Sequence, residues 1–134
     1  MIHTPLSNQL LALACFVPAI ASAQLHFAAT TVEVTADPAA TKVTCKFPFS
    51  NNGSQSATIR HYLSNCSCLS VALESGEKTT FAPGETGALL ATFDLQNLTG
   101  QQERQIRLWM SQDSENLPSF TLNARITIPE LITL

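Results

Sequence analysis

The 134-residue sequence predicts an all-β sandwich, and three features lead to that fold class. Apolar residues alternate with polar ones along most of the chain, which is the period of a half-buried strand. Turn-forming pairs such as Asn-Gly and Pro-Gly separate these stretches about every ten residues. No window keeps apolar residues three and four apart, as an amphipathic helix requires. We therefore expect a single antiparallel β-sandwich of about seven to nine strands, immunoglobulin-like in architecture.

Composition limits the classes of function that are open to this chain. Hydrophobic residues make up 45% of it and charged residues only 13%, so a packed core is expected rather than disorder. The formal net charge is −3 and no basic run occurs, which argues against nucleic acid as a partner. The length suits one domain.

The first 23 residues have the pattern of an export signal. Residues 10–20 form an apolar run that is too short to span a bilayer, and a small-x-small sequence ending at Ala23 follows it. We expect cleavage of a signal peptide, residues 1–23, which leaves a periplasmic or secreted domain of residues 24–134. The chain then meets the membrane only during export. Two alternatives stay open, namely a leader that is retained as an anchor and a lipid attached to Cys15.

Each predicted strand has one apolar face. These faces comprise Val32, Val34 and Ala36; Val43, Cys45, Phe47 and Phe49; Ala57, Ile59, His61 and Leu63; Leu89, Ala91, Phe93 and Leu95; Ile106, Leu108 and Met110; and Phe120, Leu122, Ala124, Ile126 and Ile128. Pro48 interrupts one run, and because proline cannot donate to a ladder, that strand is expected at a sheet edge or bulged. Trp109 falls on the face opposite Ile106 and Leu108. There it either packs against a neighbouring strand or the chain terminus, or forms part of a partner-binding patch.

The Asn-Gly pair at positions 52–53 lies between two of these strands and suggests a hairpin. A two-residue turn at this pair would align the apolar face of one strand with the polar face of the other. A loop of three or five residues aligns the two apolar faces instead, and the hydrophobic pattern favours that register. The predicted hairpin then pairs Phe47 with Ile59 and Cys45 with His61.

Two groups of residues resemble the signatures of a bacterial family, the domain of unknown function 1573. The first group is Phe49, Asn51 and Gly53 followed by Cys66-Ser67-Cys68, and the second is Pro83-Gly84-Glu85-Thr86-Gly87 before a strand that ends in Phe93-Asp94. The similarity spans roughly residues 30–128. It implies an exported domain similar to the ASH/Hydin group of immunoglobulin-like sandwiches, with no assigned activity and no established metal. Ser67 stands where the family has glycine, and Leu69 where threonine is common. If the family's glycine supplies a left-handed backbone conformation, the loop between the two cysteines must differ in this chain.

The sequence contains no catalytic constellation that we recognise. It has no nucleophile elbow, zinc-protease helix motif, phosphate-binding loop or dinucleotide-binding motif. We therefore predict a protein that is not an enzyme and needs no cofactor. Its expected role is a structural or protein-interaction module, whose partner is a protein or an envelope component that the sequence does not identify.

The cysteines are the chemically distinctive residues. After removal of the leader Cys45, Cys66 and Cys68 remain, an odd number for an oxidising compartment. The plainest interpretation is a structural disulfide between two of them, or a Cys45 that is simply a small buried residue. The alternative is a protein that handles thiol redox or a copper or zinc ion through Cys66 and Cys68. Cys45 and His61 would then complete a Cys₃His set of metal ligands.

The direction in which each thiol points predicts the pairing. Cys45 lies on an apolar strand face, so we expect it to stay a buried free thiol. Cys66 and Cys68 are expected to be the accessible pair, oxidised together or jointly holding a metal. Their disulfide requires a kinked backbone that brings the two Cα atoms within about 4.4–6.8 Å.

Overall fold

The structure, a computed structural model, describes residues 24–130. The predicted leader and the lipidation candidate Cys15 lie outside the described residues. Residues 24–130 include no helix with the length and hydrophobicity that a membrane crossing requires.

Residues 24–130 form nine strands in two sheets. The strands are β1 (Leu25–Phe27), β2 (Thr31–Thr35), β3 (Lys42–Asn51), β4 (Ala57–Ser64), β5 (Leu69–Leu73), β6 (Thr80–Phe81), β7 (Thr86–Asp94), β8 (Gly100–Met110) and β9 (Phe120–Ile128). One sheet has the order β1-β3-β7-β5 and the other the order β2-β9-β8-β4-β6. The predicted all-β sandwich is confirmed. The expectation of purely antiparallel pairing needs one correction, because β2 runs parallel to β9 after the chain has changed sheets between β1 and β2.

The core lies between the two sheets and is filled by the inward faces of the long strands. Its largest fully buried apolar side chains are Phe47, Phe81, Phe93, Leu89, Ile106, Leu108, Leu122 and Ile126. Aromatic rings at one end of the core meet edge to face, with 5.4 Å between the ring centres of Phe27 and Phe49 and 4.8 Å between those of Phe49 and Phe81. Such geometry adds to the stabilisation that burial alone gives.

The predicted hairpin between β3 and β4 is wrong, because the two strands belong to different sheets. β3 pairs with β1 and β7, whereas β4 pairs with β6 and β8. Cys45 therefore lies opposite Ala91, and His61 lies opposite Trp109. The connection after Asn51 is a crossover that takes the chain from one sheet to the other, and alternation alone does not distinguish a crossover from a hairpin turn.

The predicted single apolar face of β4 is also wrong in its second half. Ile59 lies opposite Met110 and His61 lies opposite Trp109, so Arg60 is an extra residue that forms a β-bulge. A bulge shifts the alternation of faces by one residue. Ile59, before the bulge, is 2% exposed, whereas Leu63, after it, is 44% exposed. The bulge thus places His61 and Leu63 on the outer face of the five-stranded sheet.

The prediction that the strand with Pro48 lies at a sheet edge or is bulged there is wrong, because β3 lies between β1 and β7 and its register with β7 is unbroken through Pro48. β1 pairs with β3 only from Phe49 to Asn51, and the carbonyl of Pro48 accepts a hydrogen bond from Ala28 N (3.2 Å) where this pairing ends. The nitrogen and the carbonyl of a strand residue point to the same side. The missing N–H of the proline therefore faces the side on which β1 has ended, and no ladder hydrogen bond is lost.

Candidate functional site

The two segments that resemble the family signatures lie against each other. The backbone N–H of Asn51 donates to the carbonyl of Glu85 (2.9 Å), and that of Gly84 donates to the carbonyl of Asn51 (2.8 Å). Pro83 and Gly84 are the central residues of a turn closed by a bond from Glu85 N to Ala82 O (2.9 Å), and Gly84 has a φ of 83°. This is the geometry of a type II turn, in which glycine is preferred at the third position. These signature residues join the end of β3 to the start of β7.

The side chain of Asn51 holds the crossover that follows β3. It is 1% exposed, and its Nδ2 donates to the carbonyls of Gln55 and Phe81, both at 2.8 Å. Its Oδ1 accepts a hydrogen bond from Gly53 N (3.0 Å). The amide thus satisfies backbone groups of the crossover and of β6. The role of this residue is to fasten the crossover.

The signature residue Gly87 lets two aromatic rings approach the backbone of β7. A Cβ atom at this position would lie 2.6 Å from Cζ of Phe49 and 2.9 Å from Cε1 of Phe81. Only a residue without a side chain leaves room for both rings. Together with the turn and Asn51, Gly87 thus contributes to the packing of the strands that the signature joins.

Cys66 and Cys68 form a disulfide in the loop that crosses from β4 to β5, with a Cα–Cα distance of 5.2 Å. The kinked backbone that this pairing requires is present. Leu69 N donates to the carbonyl of Cys66 (3.2 Å), and the hydroxyl of Ser64 donates to the same carbonyl (2.9 Å). Ser67 does not adopt a left-handed conformation, because Asn97 is the only non-glycine residue with positive φ between positions 24 and 130. The loop therefore closes without the glycine of the family pattern.

Hydrogen bonds outside the disulfide hold this loop to both sheets. Asn65 N donates to the carbonyl of Gln105 (3.2 Å), and Gln105 N donates to Oδ1 of Asn65 (3.1 Å). On the other side, Asp94 N donates to the carbonyl of Cys68 (2.9 Å). Within the loop, Cys68 N donates to Sγ of Cys66 (3.1 Å).

Cys45 is a free thiol in the core, as predicted. It is 0% exposed, and its sulfur lies 4.0 Å from the carbonyl of Arg125. Burial raises the pKa of this thiol to about 11. Since the thiolate is the reactive form of cysteine, Cys45 is a poor nucleophile at neutral pH.

The structure does not assemble the four candidate metal ligands. Cys45 faces the interior of the sandwich, whereas the bulge at Arg60 turns His61 to the outer face, so these two candidates lie apart from each other. Among residues 24–130, no three or more His, Cys, Asp or Glu side chains are grouped so that they could hold a metal ion. Metal binding by reduced Cys66 and Cys68 stays a prediction.

The buried thiol gives stability a pH dependence of known sign. A group whose pKa is higher in the folded than in the unfolded state stabilises the protein below the unfolded pKa, and that contribution is lost as pH rises to the folded pKa. For Cys45 this window runs from pH 9.0 to about 11. We expect the free energy of unfolding to fall there by about 1.4 kcal/mol per pH unit relative to Cys45→Ala. Urea denaturation of both proteins in a Cys66→Ser/Cys68→Ser background measures this, and parallel pH profiles would contradict it.

Trp109 is packed on the outer face of the five-stranded sheet, on the side that the sequence predicts. Its ring centre lies 5.4 Å from that of His61 on the neighbouring strand, and the guanidinium of Arg107 lies 5.5 Å from the ring centre. The residue is only 5% exposed, and its buried Nε1 has no hydrogen-bond partner within the described chain. Of the alternatives that the sequence leaves open for Trp109, packing against a neighbouring strand is present.

A cleft of about 430 Å³ opens beside Trp109. It is lined by Arg60, His61, Leu63, Trp109 and Glu115. Arg107 borders it, because this residue lies opposite Leu63 in the sheet and its guanidinium lies against the Trp109 ring. The sequence pattern missed this cleft because the bulge that turns His61 and Leu63 outward leaves no sign in the alternation.

The positive charges at the cleft are not neutralised by ion pairs. Those found within residues 24–130 are Lys46–Glu74, Lys78–Glu85 and Arg125–Glu103. None of them includes a residue of the cleft. The guanidinium groups of Arg60 and Arg107 therefore have no ion-pair partner in the described part of the chain.

Comparison with known proteins bears on the family and the fold. Residues 25–126 match the family described as a protein of unknown function, DUF1573. The chain belongs to this family. No curated protein matches it in sequence.

Two solved structures share the sandwich. A protein of unknown function from Porphyromonas gingivalis W83 is 14% identical, with a TM-score of 0.63 over 84% of this chain and 51% of that chain. The VesB protease of Vibrio cholerae is 18% identical, with a TM-score of 0.60 over 78% of this chain and 32% of that chain. The DUF1573 chain thus spans about half the length of the first protein and about a third of the second. At these identities the likeness shows the fold alone.

Proposed function

We propose that this DUF1573 protein is an exported, non-catalytic interaction module, which binds a partner protein through the cleft beside Trp109. The observation that carries the proposal is the buried Nε1 of Trp109, which has no acceptor among the described residues. A buried donor without a partner costs about 1–3 kcal/mol, and native structures keep few such groups. Because this nitrogen is buried, a partner removes that cost only by shifting the Trp109 ring so that an acceptor reaches Nε1.

The cleft carries one carboxylate, that of Glu115, against the two guanidinium groups of Arg60 and Arg107, and this excess of positive charge favours a partner that presents a carboxylate. Arg60 and Arg107 have no ion-pair partner among the described residues, and a guanidinium binds a carboxylate through two parallel hydrogen bonds. Leu63, which is 44% exposed, adds an apolar contact next to these charges. Tryptophan and arginine are enriched among residues that dominate binding energy at interfaces.

Charge reversal at the cleft tests the proposal. We expect a protein in an envelope extract to bind the wild-type chain and to be retained about tenfold less by Arg107→Glu, because the mutation places a carboxylate against a carboxylate. Lys42→Glu is the matched control, since Lys42 is exposed on the other sheet and its replacement changes the net charge equally. Quantitative mass spectrometry of the retained proteins gives the ratio. Equal retention by both variants, or no protein that distinguishes them, would contradict the proposal.

Export belongs to the same proposal and rests on the leader pattern of residues 1–23. Intact-mass measurement of the wild-type chain recovered from the envelope fraction should give a protein that begins at Gln24. A chain that still begins at Met1 would show a retained anchor instead.

A further inference from the structure

We propose that Cys66 and Cys68 form a redox-active disulfide that exchanges two electrons with a peptide or protein dithiol. This activity is independent of the Trp109 cleft. The observation behind it is a disulfide that closes over a single intervening residue, in a loop whose course other hydrogen bonds already fix.

The disulfide contributes little as a structural staple. The constraint that a cross-link places on the unfolded chain grows with the length of the loop it closes, and here the sequence separation is 2. The two bonds between Asn65 and Gln105, and the bond from Asp94 to Cys68, hold the loop to both sheets without it. The S–S bond can therefore open while the loop keeps its place.

The surroundings of the two sulfurs assign them different roles. Both cysteines are half-buried, so a thiol can reach them, whereas Cys45 is fully buried. The N–H of Cys68 donates to Sγ of Cys66, and a hydrogen bond to the charged form stabilises a thiolate. A thiolate leaves more readily when its pKa is low. Cys66 is thus the leaving group, and Sγ of Cys68 is the atom that is attacked.

The exchange balances with a dithiol as the reductant. One thiolate of the dithiol attacks Sγ of Cys68, the S–S bond breaks, and its electron pair stays on Cys66. The second thiolate of the dithiol then attacks the first sulfur of the dithiol, which is bonded to Sγ of Cys68. This step breaks the mixed disulfide and releases Cys68 as a thiolate. The dithiol becomes a disulfide, losing two electrons, and its two protons end on the thiols of Cys66 and Cys68.

A reduced fluorescent dithiol peptide is the probe for this activity. The oxidised wild-type protein should convert one peptide to its disulfide for each protein disulfide that opens. Cys45→Ser should do the same, whereas Cys66→Ser/Cys68→Ser should leave the peptide reduced. Alkylation and mass spectrometry should find the new thiols at Cys66 and Cys68, with an unchanged circular dichroism spectrum. A peptide that stays reduced, or a disulfide that opens only when the protein unfolds, would overturn the proposal.

Single variants test the assignment of roles. Cys68→Ser keeps the backbone N–H that faces Cys66, so Cys66 in this variant should react with iodoacetamide about fivefold faster at pH 7 than Cys68 in Cys66→Ser. Equal rates and equal pH profiles would show that neither sulfur is the preferred leaving group. The peptide assay contains no partner of the Trp109 cleft, so this activity and binding at the cleft are tested separately.

Discussion

Replacing Asn51 with alanine should lower the free energy of unfolding by about 3–5 kcal/mol. The amide makes three hydrogen bonds to backbone groups of Gln55, Phe81 and Gly53, and the residue is 1% exposed. Alanine leaves these groups without their partner, in a place that water does not readily reach. Each buried group left unpaired costs about 1–3 kcal/mol.

The neighbouring residue provides the control for this experiment. Asn52 is exposed, and its side chain accepts a hydrogen bond from the hydroxyl of Ser50 (3.0 Å). Asn52→Ala should therefore change the free energy of unfolding by about 0.5 kcal/mol or less. Urea denaturation of the two variants under the same conditions compares them. If Asn51→Ala is no less stable than Asn52→Ala, the crossover is not fastened by this amide.

The fold class could be predicted because alternation is a local property of the chain. Phe120 to Ile128 alternates without a break and forms β9 as the pattern indicates. The partners of β3 and β4 depend on contacts between distant segments. Asn51 bonds with Gln55 near it but also with Phe81, and only the second bond shows that the segment crosses between sheets. No local pattern carries that information.

Part of the candidate site could be predicted from the sequence, and part could not. The sequence indicates Cys66 and Cys68 as the accessible pair, oxidised together or jointly holding a metal, because Cys45 falls on an inward-facing strand position, and the structure shows the disulfide. The cleft beside Trp109 was not predictable, since it depends on one inserted residue. At the bulge, β4 has one more residue, Arg60, than the stretch of β8 that it pairs with. This extra residue can be recognised only when the pairing of the two strands is known.

Replacing Gly87 with alanine should destabilise the protein by about 1–3 kcal/mol. In a strand without close neighbours the same change would stabilise it, because glycine loses more backbone entropy on folding than alanine does. At this position the new Cβ would lie 2.6 Å from Cζ of Phe49 and 2.9 Å from Cε1 of Phe81. Neither ring can withdraw freely, as both are buried and pack edge to face. The overlap should outweigh the entropic gain.

A second substitution shows whether the overlap is the cause. Phe49→Leu removes the ring that comes closest to the new Cβ, so it should cost less in the Gly87→Ala background than in the wild-type protein. We expect a coupling of about 1 kcal/mol between the two sites from urea denaturation of the four proteins. An identical cost of Phe49→Leu in both backgrounds would mean that the ring does not meet the methyl group. The signature glycine would then have to be explained by backbone conformation, yet its φ is not among the positive values found between residues 24 and 130.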